Sequence, residues 1–154
     1  MEPITIRRAT VEDKPALLQF EQGIISAERP YDPALKAGPI NYYDLGQMIT
    51  HPDTAFFVAV SGGQLVGCGY GRIELSKPIS KYDRYLYLGF MYVNPEFRGL
   101  GIIQRIMEEI KKWGIANGIQ ELRLEVYSGN ASAIKAYEKA GFEERVVEMR
   151  MELN

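Results

Sequence analysis

Residues 92–103 read YVNPEFRGLGII, and this stretch decides which fold we expect. The apolar run that ends at Val93 is typical of a strand, and Pro95 prevents further pairing because proline has no N–H. The turn that follows contains Gly99 and Gly101, and apolar residues at helical spacing begin directly after it. The stretch therefore predicts a strand, a glycine turn and a helix in immediate succession.

That arrangement is suited to binding an anion. The first turn of a helix presents unpaired N–H groups and the positive end of the helix dipole. Glycines lack a Cβ and let a phosphate approach the backbone, and Arg98 adds a positive charge. We interpret the turn as a diphosphate site, although an ordinary strand-to-helix turn with a solvated Arg98 would contain similar residues. It is neither a dinucleotide G-x-G-x-x-G fingerprint nor a P-loop, since no Gly-Lys pair follows.

Working outward from this stretch, strands and helices alternate along the chain. The order is β-α-α-β-β-β-α-β-α-β, which predicts an α/β sandwich with a mixed sheet and helices on both faces. We expect the first helix to begin after a capping pair of Thr10 and Asp13 and to end before Pro30. The other helices are expected at residues 42–50, 101–116 and 130–139. The strands are expected around residues 4–8 and at 55–60, 64–75, 82–93 and 121–127, with a final strand opened by Gly141 and Phe142.

Composition limits the classes of function. The chain has 154 residues, a net charge of -2 and 46% hydrophobic residues, which suits one domain over residues 1–154. It has no basic field for nucleic acid, and its apolar runs are too short for a membrane helix. Cys68 is the single cysteine and His51 the single histidine, so we expect neither a disulfide nor a metal site. We expect a cytoplasmic protein.

Two segments carry a resemblance to a known family. Residues 93–102 (VNPEFRGLGI) resemble motif A of the GNAT superfamily of N-acetyltransferases. About thirty residues later, residues 130–142 (NASAIKAYEKAGF) resemble the second motif of that superfamily. The order of elements matches along nearly the whole chain. The resemblance implies a three-layer α/β/α sandwich around a mixed, mostly antiparallel sheet, with acetyl-CoA as cosubstrate and no metal.

The resemblance also implies a role for individual residues. The backbone N–H groups of one run would hold the CoA pyrophosphate, and this run is Arg98, Gly99, Leu100, Gly101, Ile102 and Ile103. The end of the preceding strand, Met91, Tyr92 and Val93, would lie along the pantetheine arm. Asn130 would contact the cosubstrate near the pantetheine, and Tyr137 would lie close to the sulfur. The family usually has glycine or alanine where this chain has Ile103, although the backbone N–H is retained.

Acetyl transfer to an amine requires a base for the ammonium and is helped by an acid for the leaving thiolate. In the family pattern Tyr137 is the acid, whereas its position on an amphipathic helix would also suit a core aromatic. Many members carry a carboxylate on the strand before motif A, where this chain has Gly89 and Phe90. Glu125 is the candidate base, because Leu124-Glu125-Val126, with Glu125 twelve residues ahead of Tyr137, resembles the protein N-terminal acetylases of the family, in which this Glu is the base. The alternative is a surface carboxylate paired with Arg123.

Further readings stay open at the level of sequence. Glu74 and a relayed water are lesser candidates for the base, and Cys68 is expected to be a small core residue. The acceptor would be a small-molecule amine or a peptide N-terminus, bound near a concentration of tyrosines at residues 31–43 and 82–85. A catalytically weak acyl-CoA-binding sensor or partner module is the alternative function. The resemblance also allows a homodimer.

Overall fold

The computed structural model describes residues 2–154, so Met1 of the predicted domain lies outside the described residues. One five-stranded sheet, in the order β1-β2-β3-β4-β5, lies between helices. The first three pairings are antiparallel and the β4–β5 pairing is parallel. This confirms the expected mixed, mostly antiparallel sheet. The elements are β1 (Ile4–Arg8), α1 (Lys14–Glu28), α2 (Leu45–Thr50), β2 (Thr54–Ser61), β3 (Gln64–Leu75), β4 (Arg84–Val93), α3 (Ile102–Ala116), β5 (Leu122–Arg123) and α4 (Ala131–Lys139), with short 3-10 turns at Val11–Asp13, Arg29–Tyr31 and Pro95–Phe97.

The sheet separates two apolar cores. One core joins α3 to the sheet, and the other joins α1 and α2 to its opposite face. Glycines alternate along β3 on the α3 side, so the helix can approach the sheet closely. A Cβ on Gly71 would lie 2.6 Å from Ile110 Cγ2, and a Cβ on Gly69 would lie 2.9 Å from Ile106 Cγ2. The position of α3, and of the loop before it, is therefore set by glycine contacts with β3.

The predicted capping pair is confirmed at the start of the first helical segment. Thr10 N donates to Asp13 Oδ2 at 2.7 Å, and Arg7 donates to both carboxylate oxygens of Asp13 at 2.8 and 2.9 Å. These contacts join β1 to the 3-10 turn from which α1 continues. Pro30 lies in the 3-10 turn directly after α1, as expected.

The predicted final strand is wrong. Among the described residues, 141–154 form no helix or strand, and β5 covers only two of the seven residues expected for it. A strand needs a neighbour for its backbone N–H and C=O groups. The sequence has strand-like alternation in this segment, but no strand within residues 2–154 pairs with it.

No helix in the described part of the chain is both long enough and apolar enough to cross a membrane.

Candidate active site

The sheet opens between β4 and β5. The two strands pair only at Leu86 with Leu122 and at Tyr87 with Arg123. Within residues 2–154, the rest of β4 therefore has no strand beside it on this edge. Met91, Tyr92 and Val93 all lie on the unpaired stretch. An unpaired edge can accept an extended ligand in the way that it would accept another strand.

A bulge lies within the same stretch. Cys68 pairs with Tyr92, but Tyr70 pairs with Gly89, so β4 carries one more residue here than β3. Phe90 has a φ of 50°, which is rare for a residue other than glycine. Its ring stacks on Tyr43 with centroids 4.5 Å apart, and this packing holds the strained backbone in place. Bulges of this kind redirect the strand and are common beside active sites.

The predicted diphosphate turn lies at the end of the open strand edge. Gly99 and Gly101 have φ values of 79° and 77°, and both are exposed. A Cβ on Gly99 would meet nothing within 4 Å. The first hydrogen bond of α3 joins Arg105 N to Gly101 O at 3.1 Å. Ahead of it, the first-turn N–H groups lack a backbone acceptor within the described chain. The turn therefore presents free donors and open space to an anion.

Three side chains complete this turn. Arg98 is exposed, and its Nε donates to Val93 O at 3.4 Å, which keeps the guanidinium beside the end of β4. Leu100 is exposed as well. Ile102 is buried in the α3 core, and Ile103 packs against the same core. The bulk that distinguishes Ile103 from the usual glycine or alanine is thus accommodated by the protein interior.

The second motif forms α4. Asn130 caps this helix, because its Oδ1 accepts a hydrogen bond from Ala133 N at 3.2 Å. Tyr137 is half-buried, and its ring lies 5.9 Å from Phe142 in an edge-to-face arrangement. Burial, and after it the charge of Glu28, raises the pKa of Tyr137. The phenol therefore keeps its proton at neutral pH, as a proton donor must.

A pocket of about 440 Å³ lies on the α1 and α2 side of the sheet, where β4 and β5 begin to separate. Five of the eight lining residues are tyrosines and three are charged, two of them on β3 and one after β5. The lining residues are Tyr42, Tyr43, Tyr70, Arg72, Glu74, Tyr85, Tyr87 and Glu125. The tyrosines that the sequence grouped near the acceptor thus contribute three members, and β3 and β4 supply two more.

The charges of this pocket leave one carboxylate without a cation. Arg72 forms an ion pair with Glu74. Arg123 pairs with Glu121 at 2.8 Å, so the expected alternative pairing of Arg123 with Glu125 is wrong. Glu125 is exposed and forms no salt bridge within residues 2–154. Its charge also raises the pKa of Tyr87, after the larger effect of burial.

Sequence reasoning did not consider Glu28 as a proton acceptor. Glu28 is half-buried at the end of α1, and burial followed by the charge of Asp32 raises its pKa. Its charge in turn contributes to the raised pKa values of Tyr43 and Tyr137. The charge of Glu28 is therefore felt both by Tyr43 in the pocket and by Tyr137 on α4. The available signal was its spacing, since Glu28 lies seven residues after the fully buried Glu21 on the buried face of the helix.

The remaining candidates have structural positions. Cys68 is fully buried, and its thiol donates to Phe90 O at 3.3 Å. Burial raises the pKa of this thiol, so a thiolate is disfavoured. His51 accepts a hydrogen bond from Asp53 N at 3.0 Å in an exposed loop. Across residues 2–154, no group of three or more His, Cys, Asp or Glu side chains is arranged to hold a metal ion.

The similarity to known proteins extends over every residue of the candidate site. A family model described as acetyltransferase (GNAT) family matches residues 22–142. A curated relative, an IAA acetyltransferase from Azospirillum brasilense, is 34% identical over 99 residues. The match covers 64% of this chain and 61% of the relative, so the chain spans less than two thirds of that protein's length.

Solved structures share the fold at low sequence identity. A variant of the BH1408 protein from Bacillus halodurans superposes with a TM-score of 0.87 at 19% identity, over 97% of this chain and 99% of that one. A predicted acetyltransferase from Clostridium acetobutylicum, solved with acetyl-CoA, has a TM-score of 0.73 at 18% identity and covers 99% and 96% of the two chains.

Proposed function

We propose, from the premise that this chain belongs to the acetyltransferase (GNAT) family, that it transfers an acetyl group from acetyl-CoA to a primary amine. The acceptor is a small molecule or a peptide N-terminus, and the amine attacks the thioester directly. The observation that carries the proposal is the continuity between the unpaired edge of β4 and the open glycine turn before α3.

The donor fits this continuous surface in one orientation. Its pantetheine amides would pair with Met91, Tyr92 and Val93 as an added strand would. Its diphosphate would then reach the free N–H groups of residues 98–103 at the positive end of α3. The thioester would lie beside the bulge at Phe90, where the extra residue is released from the ladder between β3 and β4. The Clostridium structure, which contains acetyl-CoA on the same fold, supports this choice of donor.

The acceptor is assigned to the pocket lined by Tyr42, Tyr43, Tyr70, Tyr85 and Tyr87, the tyrosine pocket. The pocket contains one arginine and two glutamates, so one negative charge remains once Arg72 and Glu74 have paired. An ammonium group is attracted to that charge and to the faces of the tyrosine rings. Glu125 is the unpaired carboxylate, and it would take a proton from the ammonium to give the nucleophilic amine.

The transfer then balances with three proton movements, the first of which is the proton that Glu125 takes from the ammonium. The amine nitrogen forms a bond to the acetyl carbon, the carbon–sulfur bond of the thioester breaks, and the nitrogen loses its second proton to solvent, from which Tyr137 is reprotonated. The departing thiolate takes the proton of the Tyr137 hydroxyl, whose raised pKa keeps that proton available. Asn130 lies at the start of the same helix, where its side chain caps the first turn of α4, and it would contact the donor near the pantetheine.

Titration calorimetry followed by a turnover assay tests the proposal. Acetyl-CoA should bind the purified protein, and a panel of primary amines should release free thiol. Glu125→Gln and Tyr137→Phe should each reduce turnover by roughly 10²- to 10⁴-fold, the usual contribution of an acid or base, with acetyl-CoA affinity retained. Glu121→Gln, in the same segment between α3 and α4 but outside the pocket, and Tyr82→Phe are the matched controls.

Two results would contradict this assignment. If acetyl-CoA does not bind, the donor surface is wrongly identified. If it binds but no amine releases thiol, the chain is a binding module, the alternative function that the sequence left open.

A further inference from the structure

The Arg72 guanidinium is held in place in the tyrosine pocket but still has hydrogen-bond donors available. Arg72 lies on β3, and its side chain is 42% exposed. Its Nε donates to Glu74 Oε1, and Glu74 lies two residues further along the same face of the strand. Nη1 and Nη2 form no hydrogen bond with an acceptor in residues 2–154. Since an arginine has five N–H donors in a fixed plane, most of them remain for a ligand that enters the pocket.

Two tyrosine rings restrict the position of this group. The Arg72 Cζ atom lies 5.6 Å from the ring centroid of Tyr70 and 5.6 Å from that of Tyr87. Tyr70 precedes Arg72 by two residues on β3, and Tyr87 is the partner of Arg72 in the ladder with β4, so the three side chains share one face of the sheet. Contacts between a cation and aromatic rings limit the positions that a long side chain can take. The guanidinium is therefore presented to the pocket with less entropy left to lose on binding.

The unpaired carboxylate of the pocket lies on the other side of β4 from Arg72. In the sheet, Tyr87 on β4 pairs with Arg72 on β3 and with Arg123 on β5. Glu125 follows Arg123 by two residues and lines the same pocket as Arg72. The pocket therefore has a cationic donor group along one side of Tyr87 and a free anion along the other.

We infer that the acceptor is a free amino acid, whose carboxylate binds Arg72 while its amine lies at Glu125. The inference rests on the proposed function, because it takes this pocket as the acceptor site. A carboxylate is planar and matches two parallel donors of a guanidinium. Five tyrosines form the rest of the wall beside the charged groups, which suits an amino acid with an apolar or aromatic side chain. A simple amine has no anion for Arg72, and in a peptide the carbonyl beside the N-terminal amine belongs to an uncharged amide.

A second arginine beside the pocket provides a comparison within the same protein. Arg123 also lies over a tyrosine, with its Cζ atom 4.0 Å from the ring centroid of Tyr85, and it pairs with Glu121 at 2.8 Å. Arg123 is not among the residues that line the pocket. Arg72 and Arg123 thus share a stacked ring and an ion pair with a carboxylate two residues away, and they differ in access to the acceptor. An effect that is specific to Arg72 therefore reports the anion of the ligand.

Three ligands that differ at one group test the inference. They are L-phenylalanine, L-phenylalaninamide, which has the amide of a peptide in place of the carboxylate, and phenethylamine, which has neither. Titration calorimetry on the full chain, with and without CoA, should show that L-phenylalanine binds roughly 10- to 150-fold more tightly than the other two, the usual contribution of a hydrogen bond to a charged group. Equal affinities, or no binding of L-phenylalanine in either state, would overturn the inference.

A charge-balanced double variant identifies the group responsible. Arg72→Gln/Glu74→Gln removes a cation and an anion together, so the net charge of the pocket does not change. It should lose the preference for L-phenylalanine over phenethylamine. Arg123→Gln/Glu121→Gln is the matched control and should keep that preference. If both double variants lose it equally, Arg72 has only a structural effect and the inference fails.

Competition on the unmodified protein gives an independent readout if the double variant fails to fold. Hydrocinnamate has the ring and the carboxylate but no amine, and it should displace L-phenylalanine, whereas the uncharged hydrocinnamamide should not. Thiol release from acetyl-CoA then separates this inference from the proposed function. If no amine releases thiol but L-phenylalanine binds with the expected preference, the transfer is wrong and the carboxylate site at Arg72 is supported. If phenethylamine and L-phenylalaninamide release thiol as efficiently as L-phenylalanine, the transfer is supported and the inference is wrong.

Discussion

Replacing Gly99 with alanine tests the proposed diphosphate site independently of the rest of the donor surface. Gly99 has a φ of 79°, and nothing lies within 4 Å of the position that a Cβ would take. Alanine in this left-handed region is destabilised by about 1–2 kcal/mol. Its methyl group would enter the space in which we place the diphosphate. Gly63→Ala is a close control, because Gly63 has a φ of 76° and equally open surroundings but belongs to the β2–β3 turn, outside the run of residues 98–103.

The expected loss of affinity follows from the donors at this turn. A hydrogen bond to a charged group contributes about 1.5–3 kcal/mol. If the methyl group displaces one such bond from a backbone N–H to the diphosphate, acetyl-CoA should bind roughly 10- to 150-fold more weakly. Both alanine variants should lose similar thermal stability, because the backbone strain is the same. Only Gly99→Ala should lose affinity, which titration calorimetry measures directly.

A donor without a diphosphate completes the design. S-acetyl-pantetheine retains the thioester and the amides that we place along β4, but has nothing to bind at the glycine turn. Gly99→Ala should therefore reduce kcat/KM for acetyl-CoA and leave the value for S-acetyl-pantetheine unchanged. Equal losses with both donors, or an equal loss of affinity in Gly63→Ala, would refute the placement of the diphosphate.

Two further predictions concern stability. Gly71→Ala should destabilise the protein by about 1–3 kcal/mol in thermal melts, because its Cβ would lie 2.6 Å from Ile110 Cγ2. Gly46→Ala in α2 is the control and should be neutral or stabilising, because no atom lies closer than 3.7 Å to its Cβ. Equal losses of stability in the two variants would contradict this account. Asp13→Asn should lower the free energy of unfolding by about 1–2 kcal/mol at pH 7, since it removes charge-assisted hydrogen bonds from a half-exposed Arg7. Arg7 lowers the pKa of Asp13 in the folded state. The contribution of the ion pair to stability is therefore present above the unfolded pKa of about 3.9 and is lost as the pH falls through the folded pKa. In urea unfolding, the difference between Asp13→Asn and wild type should shrink in acid, and a difference that stays constant with pH would rule out the ion pair as its source.

Local chemistry explains why most of the fold could be predicted. β3 was expected at its observed bounds because Gly62 and Gly63 supply the positive φ values that a tight hairpin turn needs. The start of α4 was expected at Asn130 or Ser128, which are both capping residue types, and the Asn130 side chain does cap the helix. The glycine turn before α3 was recognised for the same reason. In each case one residue type determines the backbone conformation.

Features that depend on distant partners could not be predicted in the same way. The bulge at Phe90 has no local signal, because the aromatic stack with Tyr43 that holds its backbone joins positions far apart in the sequence. The pairing of Arg123 with Glu121 instead of Glu125 is a choice between two equally spaced carboxylates. The alternation in residues 143–154 is strand-like, but the described segment forms no strand, because it lacks the backbone–backbone hydrogen bonds to a neighbour that a strand requires.

The donor surface and the two proposed proton-transfer groups differ in how deeply the surrounding fold is buried. The donor surface is anchored by Val93 and Ile102, both buried in the α3 core. Tyr137 and Glu125 lie in the part of the chain after Ile119, where no described residue is buried. Proton transfer needs groups held within hydrogen-bond reach of the reacting atoms, and half-buried segments at the edge of a fold hold their side chains less firmly than a packed core does. Donor binding is therefore expected to depend on the buried part of the fold, whereas proton transfer depends on the less firmly held part after Ile119.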